Sequence, residues 1–291
     1  MTFTYPQHLV ETAWLEAHVN DPDLRILDCT VLFATDDNGV RVESGRDAWT
    51  QSHIPGSGFA DLMQDLSDQS SALPFMMPPA AQFAEAMSRY GVGEGTHVVL
   101  YDACSDLWAH MWAARVWWML RVCGFDQAAV LNGGWHKWTL EGRPVSTEPC
   151  AYPAARFLPR LRPALLADKR EVLATMGDRQ TCLLNALTVE DHVGTAVRYG
   201  RAGHIPSSVN VPTVSLIDPV THAYLPAEQL RAQFEAVGAL NRERVITYCG
   251  GGIAASSDAL VLTLLGVPNV AVYDGSLLEW AGDAALPMET A

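Results

Sequence analysis

The sequence predicts an α/β protein made of two tandem copies of one unit, each a parallel sheet flanked by helices on both faces. Short runs of β-branched and aliphatic residues alternate with segments of helical periodicity along the chain, which is the pattern of βαβ units. A second observation is an internal repeat with a period of about 150 residues. The third is that nearly half of the 291 residues are apolar, which is enough to form two cores.

The first half reads as alternating helices and strands. In chain order, the pattern predicts a helix at residues 6–19, a buried strand at 25–29, a helix at 78–90, a strand at 97–101, an apolar helix at 108–123 and a strand at 128–131. Polar residues at 36–39 predict a loop between the first strand and the turn at 52–57, which contains His53. Proline and glycine in that turn interrupt regular structure.

The second half repeats this order at a nearly constant offset. A strand at 182–185 matches the strand at 25–29, and the turn at His204 matches the turn at His53. Cys249 falls where Asp102 stands in the first half. Residues 141–163 are rich in proline and arginine and lack a clear period, which is typical of a connection between domains. We therefore predict domains at 1–145 and 164–291, joined by a linker at 146–163.

The charge of the chain excludes several classes of partner. A formal net charge of −14 and a pI near 4.9 argue against nucleic acids and anionic membranes, which bind basic surfaces. Residues 1–15 lack the features of a signal peptide, and no apolar run reaches the length of about 18 residues that a membrane span needs. The expected location is the cytoplasm.

The six cysteines do not form a metal-binding or disulfide pattern. They show no C-x-x-C spacing and no neighbouring pair of histidines: Cys29, Cys104, Cys123, Cys150, Cys182 and Cys249. We expect no bound metal and a reduced protein in which most of these side chains are small core residues. The sequence does not fix a role for Cys104.

Cys249 is the exception, because of what surrounds it. The strand at 245–248 runs into this cysteine, three glycines follow, and a helix is predicted at 253–264. Backbone amides crowded by glycines and the positive end of a helix dipole both favour a thiolate, so we expect the thiol to ionise readily. A buried structural cysteine is the alternative interpretation. The presence of Asp102 at the matching position favours a reactive group that only the second copy has.

Several motifs together resemble the two-domain sulfurtransferases of the rhodanese superfamily. They are the turns HIPGS and HIPSS, the stretches RVWWMLRVCGF and AVLNGGW, the loop YCGGGIAA and the closing VYDGSLLEW. The resemblance implies an inactive first domain and a catalytic second domain with Cys249 as nucleophile and no cofactor. It also implies that the cysteine takes sulfur from a small anionic donor, thiosulfate or 3-mercaptopyruvate, and passes it to cyanide, a thiol or a thioredoxin-like acceptor.

The backbone amides of the loop are expected to hold the outer sulfur of a persulfide. These amides belong to Gly250, Gly251, Gly252, Ile253 and Ala254.

The loop also bears on the choice of donor. Thiosulfate-type relatives resemble CRKGVT in this loop and mercaptopyruvate-type relatives resemble CGSGVT, so the neutral CGGGIA of this chain is nearer to the second pattern. Leu187 stands where a DAR motif would place a substrate-binding arginine. Arg198 and Arg201 remain as candidates to bind the anionic donor, and the alternative is that both are ordinary surface arginines. His53 is a candidate for proton transfer. The alternative is that its ring only forms hydrogen bonds with the backbone.

Two other functions are compatible with parts of the pattern. A persulfide carrier or regulatory binding module would use the same amides with little turnover of small donors. A cysteine phosphatase fits less well, because its C-x5-R loop needs an arginine where this chain has Ala255.

Overall fold

The structure, a computed structural model, describes residues 2–36, 39–103 and 111–290 of the chain. The strands of the first half are β1 (Leu9–Val10), β2 (Leu24–Asp28), β3 (Val31–Asp36), β4 (Gly39–Ser44), β5 (Ser57–Phe59), β6 (His97–Tyr101) and β7 (Ala128–Leu131). Its helices are α1 (Thr12–His18), α2 (Arg46–Gln51), α3 (Ala80–Arg89), α4 (Met111–Val122) and α5 (Gly134–Leu140).

The second half has a matching set of elements. Its strands are β8 (Leu166–Ala167), β9 (Thr181–Asn185), β10 (Val209–Asn210), β11 (Arg244–Tyr248) and β12 (Val270–Tyr273). Its helices are α6 (Lys169–Thr175), α7 (Val189–Val193), α8 (Ala227–Ala236), α9 (Ile253–Leu264) and α10 (Ser276–Trp280). Short 3-10 helices lie at Pro6–His8, Pro163–Leu165, Thr213–Leu216 and Ala239–Asn241.

The two halves form two sheets with the same strand order. The first sheet has the order β1-β7-β6-β2-β5, and the second, read from the corresponding edge, has the order β8-β12-β11-β9-β10. Every neighbouring pair in both sheets is parallel. The prediction of two copies of a parallel α/β unit is therefore confirmed.

Side-chain contacts repeat along with the topology. The hydroxyl of Tyr101, at the end of β6, lies 2.9 Å from the hydroxyl of Ser57. In the second half, the hydroxyl of Tyr248 at the end of β11 lies 2.6 Å from that of Ser208. The turns that contain His53 and His204 thus pack in the same way against equivalent strands.

The two halves meet through equivalent helices. Helix α4 follows β6 and helix α9 follows β11, and these two helices pack against each other. Every residue of α9 is buried, as expected for a helix that is apolar on all sides. One continuous hydrophobic core contains residues of both halves. The loop at the N-terminal end of α9 therefore lies near the boundary between the halves.

Two predicted elements differ from the structure. The segment predicted as one helix at 6–19 contains a 3-10 turn, strand β1 and only then helix α1. Of the polar segment predicted as a loop at 36–39, Asp36 and Gly39 pair as the ends of the antiparallel strands β3 and β4, and residues 37–38 lie outside the described residues. The helix predicted at 108–123 is seen as α4, and its first predicted residues, like Cys104, lie outside the described residues.

Part of the predicted linker packs on the first domain. The carbonyl of Ser146 accepts the backbone N–H of His53 at 2.9 Å, and the hydroxyl of Tyr152 donates to the carbonyl of Gly56 at 2.6 Å. The boundaries 1–145 and 164–291 stay a prediction. None of the described helices is both long and apolar enough to cross a membrane.

Candidate active site

Cys249 lies at the carboxyl end of β11, at a cavity between the two halves of the chain. Its side chain is only 2% exposed, and the cavity that it lines has a volume of about 640 Å³. The first half contributes only apolar side chains to the described wall: Phe33, Val42, Pro74, Phe75, Met111 and Trp112. The nucleophile predicted from the sequence therefore faces a largely apolar chamber.

Backbone amides surround the sulfur atom of Cys249. Burial raises the pKa of this thiol, and hydrogen bonds from the amides of the following loop and helix oppose the increase. The donors are Ala255, Gly251, Ala254 and Gly252. Burial outweighs them, so the expectation of a readily ionised thiol is wrong for the free protein. The sequence pattern revealed the amides but not how deeply the fold would bury the sulfur.

Three of the five loop amides predicted to surround the sulfur are among the hydrogen-bond donors to Cys249, namely those of Gly251, Gly252 and Ala254. Gly250, Gly251, Ile253 and Ala254 line the cavity. Ala255, in the first turn of α9, is a further donor that the sequence analysis did not include.

Ser276 holds the loop in place from the start of α10. Its hydroxyl oxygen accepts the backbone N–H groups of Cys249 and Gly252, both at 3.1 Å, and donates to the carbonyl of Tyr273 at 2.7 Å. Gly252 has a φ of +76°, and a Cβ there would lie 2.8 Å from Oδ1 of Asp274. Only glycine fits this position, because both the backbone angle and the space exclude a side chain.

An ion pair between the two halves lies beneath Gly252. Arg115 of α4 is fully buried, and its Nη1 lies 2.6 Å from Oδ1 of Asp274, in close ionic contact but not in a well-aligned hydrogen bond. Arg115 also donates to the carbonyl of Phe75 at 2.7 Å. Asp274 Oδ2 accepts the backbone N–H of Met77 at 2.8 Å. An arginine inside the apolar helix predicted at 108–123 was the sequence signal that could have revealed this pair.

The two candidate arginines have different environments. Arg198 lines the cavity, and its Nη1 donates to Oδ2 of Asp191 at 2.5 Å. Arg201 does not line it. The guanidinium of Arg201 instead binds four backbone carbonyls near the C-terminus, those of Trp280, Ala281, Asp283 and Leu286. The structure thus brings Arg198, but not Arg201, to the site.

His53 does not reach the cavity. Its ring is buried in the first half, stacked on Trp49 with a centroid separation of 4.6 Å. The ring nitrogens face the carbonyl oxygens of Trp49 and Glu148 at 2.7 and 3.0 Å. The proton-transfer role considered for His53 is therefore replaced by its alternative, bonding to backbone.

Curated relatives match almost the whole chain. Thiosulfate sulfurtransferase of Bos taurus is 35% identical over 280 residues, covering 94% of this chain and 91% of the relative. The 3-mercaptopyruvate sulfurtransferase of Escherichia coli K12 is 32% identical and covers 95% of both chains. A protein of Thermus thermophilus named sulfur carrier protein TtuD is 30% identical, covering 99% of this chain and 98% of the relative.

The fold and the family description agree with these relatives. The crystal structure of SseA from Escherichia coli, a structure of the 3-mercaptopyruvate sulfotransferases, superimposes on this chain with a TM-score of 0.78. The two sequences are 29% identical, and the superposition covers 92% of this chain and 98% of SseA. Residues 11–141 and 177–283 each match the rhodanese-like domain. The chain therefore belongs to the rhodanese family, in the two-domain class whose named relatives include sulfurtransferases.

Proposed function

We propose that this protein is a sulfurtransferase that carries sulfur as a persulfide on Cys249. The observation that supports this most directly is the placement of Cys249 Sγ inside a set of amide donors at the wall of a cavity. Such donors stabilise negative charge on sulfur. The activities named for the relatives agree with this chemistry.

The reaction consists of two sulfur transfers. The Cys249 thiolate attacks the outer sulfur of thiosulfate or the thiol sulfur of 3-mercaptopyruvate, and a new S–S bond forms on the cysteine. The S–S bond of thiosulfate or the C–S bond of 3-mercaptopyruvate breaks, and its electron pair leaves with sulfite or with the enolate of pyruvate, which takes up the proton of the donor thiol. A thiolate or cyanide then attacks the outer sulfur, and the electron pair of the persulfide bond returns to Cys249. No electrons are gained or lost overall. Because the first product leaves before the acceptor binds, we expect ping-pong kinetics.

The charge of the cavity favours a donor with one negative charge. Among the described residues that line the cavity, Arg198 alone is an arginine or lysine. The residues that the structure does not describe contain no arginine or lysine. The charge of Arg198 is already shared with Asp191. Because burying an unpaired charge is costly, we infer that a monoanionic organic donor such as 3-mercaptopyruvate is preferred to the thiosulfate dianion.

Replacement of the nucleophile tests the proposal directly. Wild type, Cys249→Ser and Cys182→Ser would each be incubated with either donor and examined by intact-protein mass spectrometry. Cys182 is a buried cysteine of β9 away from the cavity, so its variant is the matched control. We expect an adduct of about 32 Da, one sulfur atom, on wild type and control only. An adduct on Cys249→Ser would refute the assignment.

Replacement of Arg198 tests the preference among donors. Arg198→Gln should lower kcat/KM for 3-mercaptopyruvate by about 10- to 100-fold through loss of a charge-assisted hydrogen bond. Arg170→Gln changes the net charge equally at a side chain that is 91% exposed and should have no such effect. A higher kcat/KM for thiosulfate than for 3-mercaptopyruvate in wild type would contradict the inferred preference.

A persulfide carrier is the second candidate, because one relative is named a sulfur carrier protein. A carrier would be loaded once by a donor and would release its sulfur only to a protein partner, so multiple turnovers with cyanide or a small thiol would exclude it. We propose a thiol, a thioredoxin-like protein or cyanide as acceptor. We also propose a cytoplasmic location, which the free state of the described cysteines supports.

A further inference from the structure

The loop that surrounds Cys249 provides no polar side chain to the sulfur. After the cysteine come three glycines and then Ile253, Ala254 and Ala255, so the loop itself contributes backbone amides alone. Any side-chain donor to the sulfur must come from another part of the chain. Among the described residues that line the cavity, Tyr199 is the one with a hydroxyl group.

Tyr199 packs directly on the residue that follows the nucleophile. A Cβ built on Gly250 would lie 2.2 Å from Cε1, 2.4 Å from Cζ and 2.7 Å from the hydroxyl oxygen of Tyr199. The phenol thus occupies the space that a side chain at position 250 would need. Gly250 and Tyr199 are a matched pair, and the glycine allows the hydroxyl to approach the neighbour of Cys249.

The hydroxyl of Tyr199 is available to a ligand at the site. It has no hydrogen-bond partner within the described part of the chain, Cys249 included, so a bond to the sulfur has to form when negative charge develops there. Burial raises the pKa of Tyr199, and the nearby charge of Cys249 raises it further. The phenol is therefore neutral under ordinary conditions and acts as a donor. The other charged groups whose fields reach it are Asp191 and Arg198.

We propose that Tyr199 is a catalytic residue that donates a hydrogen bond to the sulfur held at Cys249, first to the thiolate and then to the outer sulfur of the persulfide. This inference rests on the sulfur-transfer function proposed above. The tyrosine keeps its proton throughout, and its donation adds to that of the backbone amides. In this chain, a side chain from the segment before the His204 turn provides the polar group that the loop lacks.

The variant Tyr199→Phe tests this role, because it keeps the ring against Gly250 and removes only the hydroxyl. Tyr90→Phe is the matched control. Its hydroxyl donates to Asp65 in the first half, and Tyr90 does not line the cavity. Two quantities would be measured for each protein: kcat/KM for 3-mercaptopyruvate with a thiol acceptor, and the pH dependence of Cys249 alkylation by iodoacetamide.

We expect Tyr199→Phe to lower kcat/KM by about 10- to 100-fold, as for loss of one hydrogen bond to a charged group. The alkylation profile should move to higher pH, because the thiolate has lost a donor. Tyr90→Phe should match wild type in both measurements. An unchanged alkylation profile for Tyr199→Phe would overturn the proposal even if turnover falls, because loss of packing alone would then explain the result.

Mass spectrometry separates this proposal from the one on which it rests. If wild type and Tyr199→Phe both acquire the sulfur adduct on Cys249 and have equal kcat/KM values, Tyr199 has no catalytic role and sulfur transfer stands. If wild type acquires no adduct from either donor, the function proposed above fails.

Discussion

Replacing Asp274 with asparagine should destabilise the protein far more than the loss of an ion pair at the surface. The Arg115 side chain is 0% exposed and that of Asp274 is 9% exposed, so the variant leaves a guanidinium buried without its counter-charge. Breaking a buried pair in this way costs about 3–5 kcal/mol. The asparagine is similar in size and retains an oxygen that can accept the N–H of Met77, which isolates the effect of charge.

The measurement is the free energy of unfolding from urea titration, with Asp126→Asn as the matched control. Asp126 makes two 2.6 Å hydrogen bonds to Arg162, but these side chains are 49% and 38% exposed. An exposed pair of this kind contributes about 0–1 kcal/mol. Both variants therefore break a pair between an arginine and an aspartate, and the two pairs differ in how deeply they are buried.

A double variant provides a second check. Combining Arg115→Met with Asp274→Asn removes both charges, so the loss should be smaller than the sum of the two single losses, with a coupling of about 0.5–3 kcal/mol. If Asp274→Asn were no more destabilising than Asp126→Asn, water would have to reach the pair, and the assignment of a buried interdomain contact would be refuted. Because Gly252 packs on Asp274, alkylation of Cys249 should also change in Asp274→Asn.

Two further predictions concern the surroundings of the nucleophile, and a third concerns His192. Ser276→Ala removes the acceptor for two buried N–H groups and should cost about 1–3 kcal/mol in urea unfolding; no measurable loss would contradict the contacts at 3.1 Å. Gly250→Ala must displace the Tyr199 ring and should lower both stability, by about 1–3 kcal/mol, and kcat/KM; wild-type values for both would refute the close packing. Burial, followed by the charge of His204, lowers the pKa of His192 from 6.5 to about 4. Between pH 6.5 and about 4, His192 binds a proton in the unfolded state but not in the folded state. Acidification through this range should therefore lower the free energy of unfolding of wild type by up to about 3 kcal/mol more than that of His192→Gln. Parallel curves of unfolding free energy against pH for the two proteins would exclude this.

The duplicated architecture could be predicted because its signals are local in the sequence. Runs such as 97–101 and 245–248 contain strand-forming residues with apolar helices close behind them. Strand β1 was missed because its two residues form a strand only through pairing with β7, which is distant in the chain. The pairing of β3 with β4 was missed because the polar residues at 36–39 are typical of a loop. In both places tertiary pairing overrides local preference.

At the site, too, features formed by consecutive residues could be predicted, and features formed by distant contacts could not. The Cys249 loop was found because the cysteine, the glycines and the helix are consecutive residues. Arg198 and Arg201 could not be separated by sequence, since they lie three positions apart in one segment and differ only in the distant groups that they meet. The elevated pKa of the Cys249 thiol depends on burial by both halves of the chain, which no single stretch of sequence encodes.

The backbone amides at the start of α4 and of α9 have different roles in the two halves. In the first half, Asp102 follows β6 and its Oδ2 accepts the backbone N–H groups of Trp112 and Ala113 at 3.1 and 2.9 Å, in the first turn of α4. In the second half, amides at the equivalent end of α9 point at Cys249. The side chain of Asp102 satisfies the helix end in the first half and so contributes to the fold. In the second half the same position is held by a thiol that becomes an anion only when it loses its proton, which leaves those amides free to stabilise negative charge during sulfur transfer.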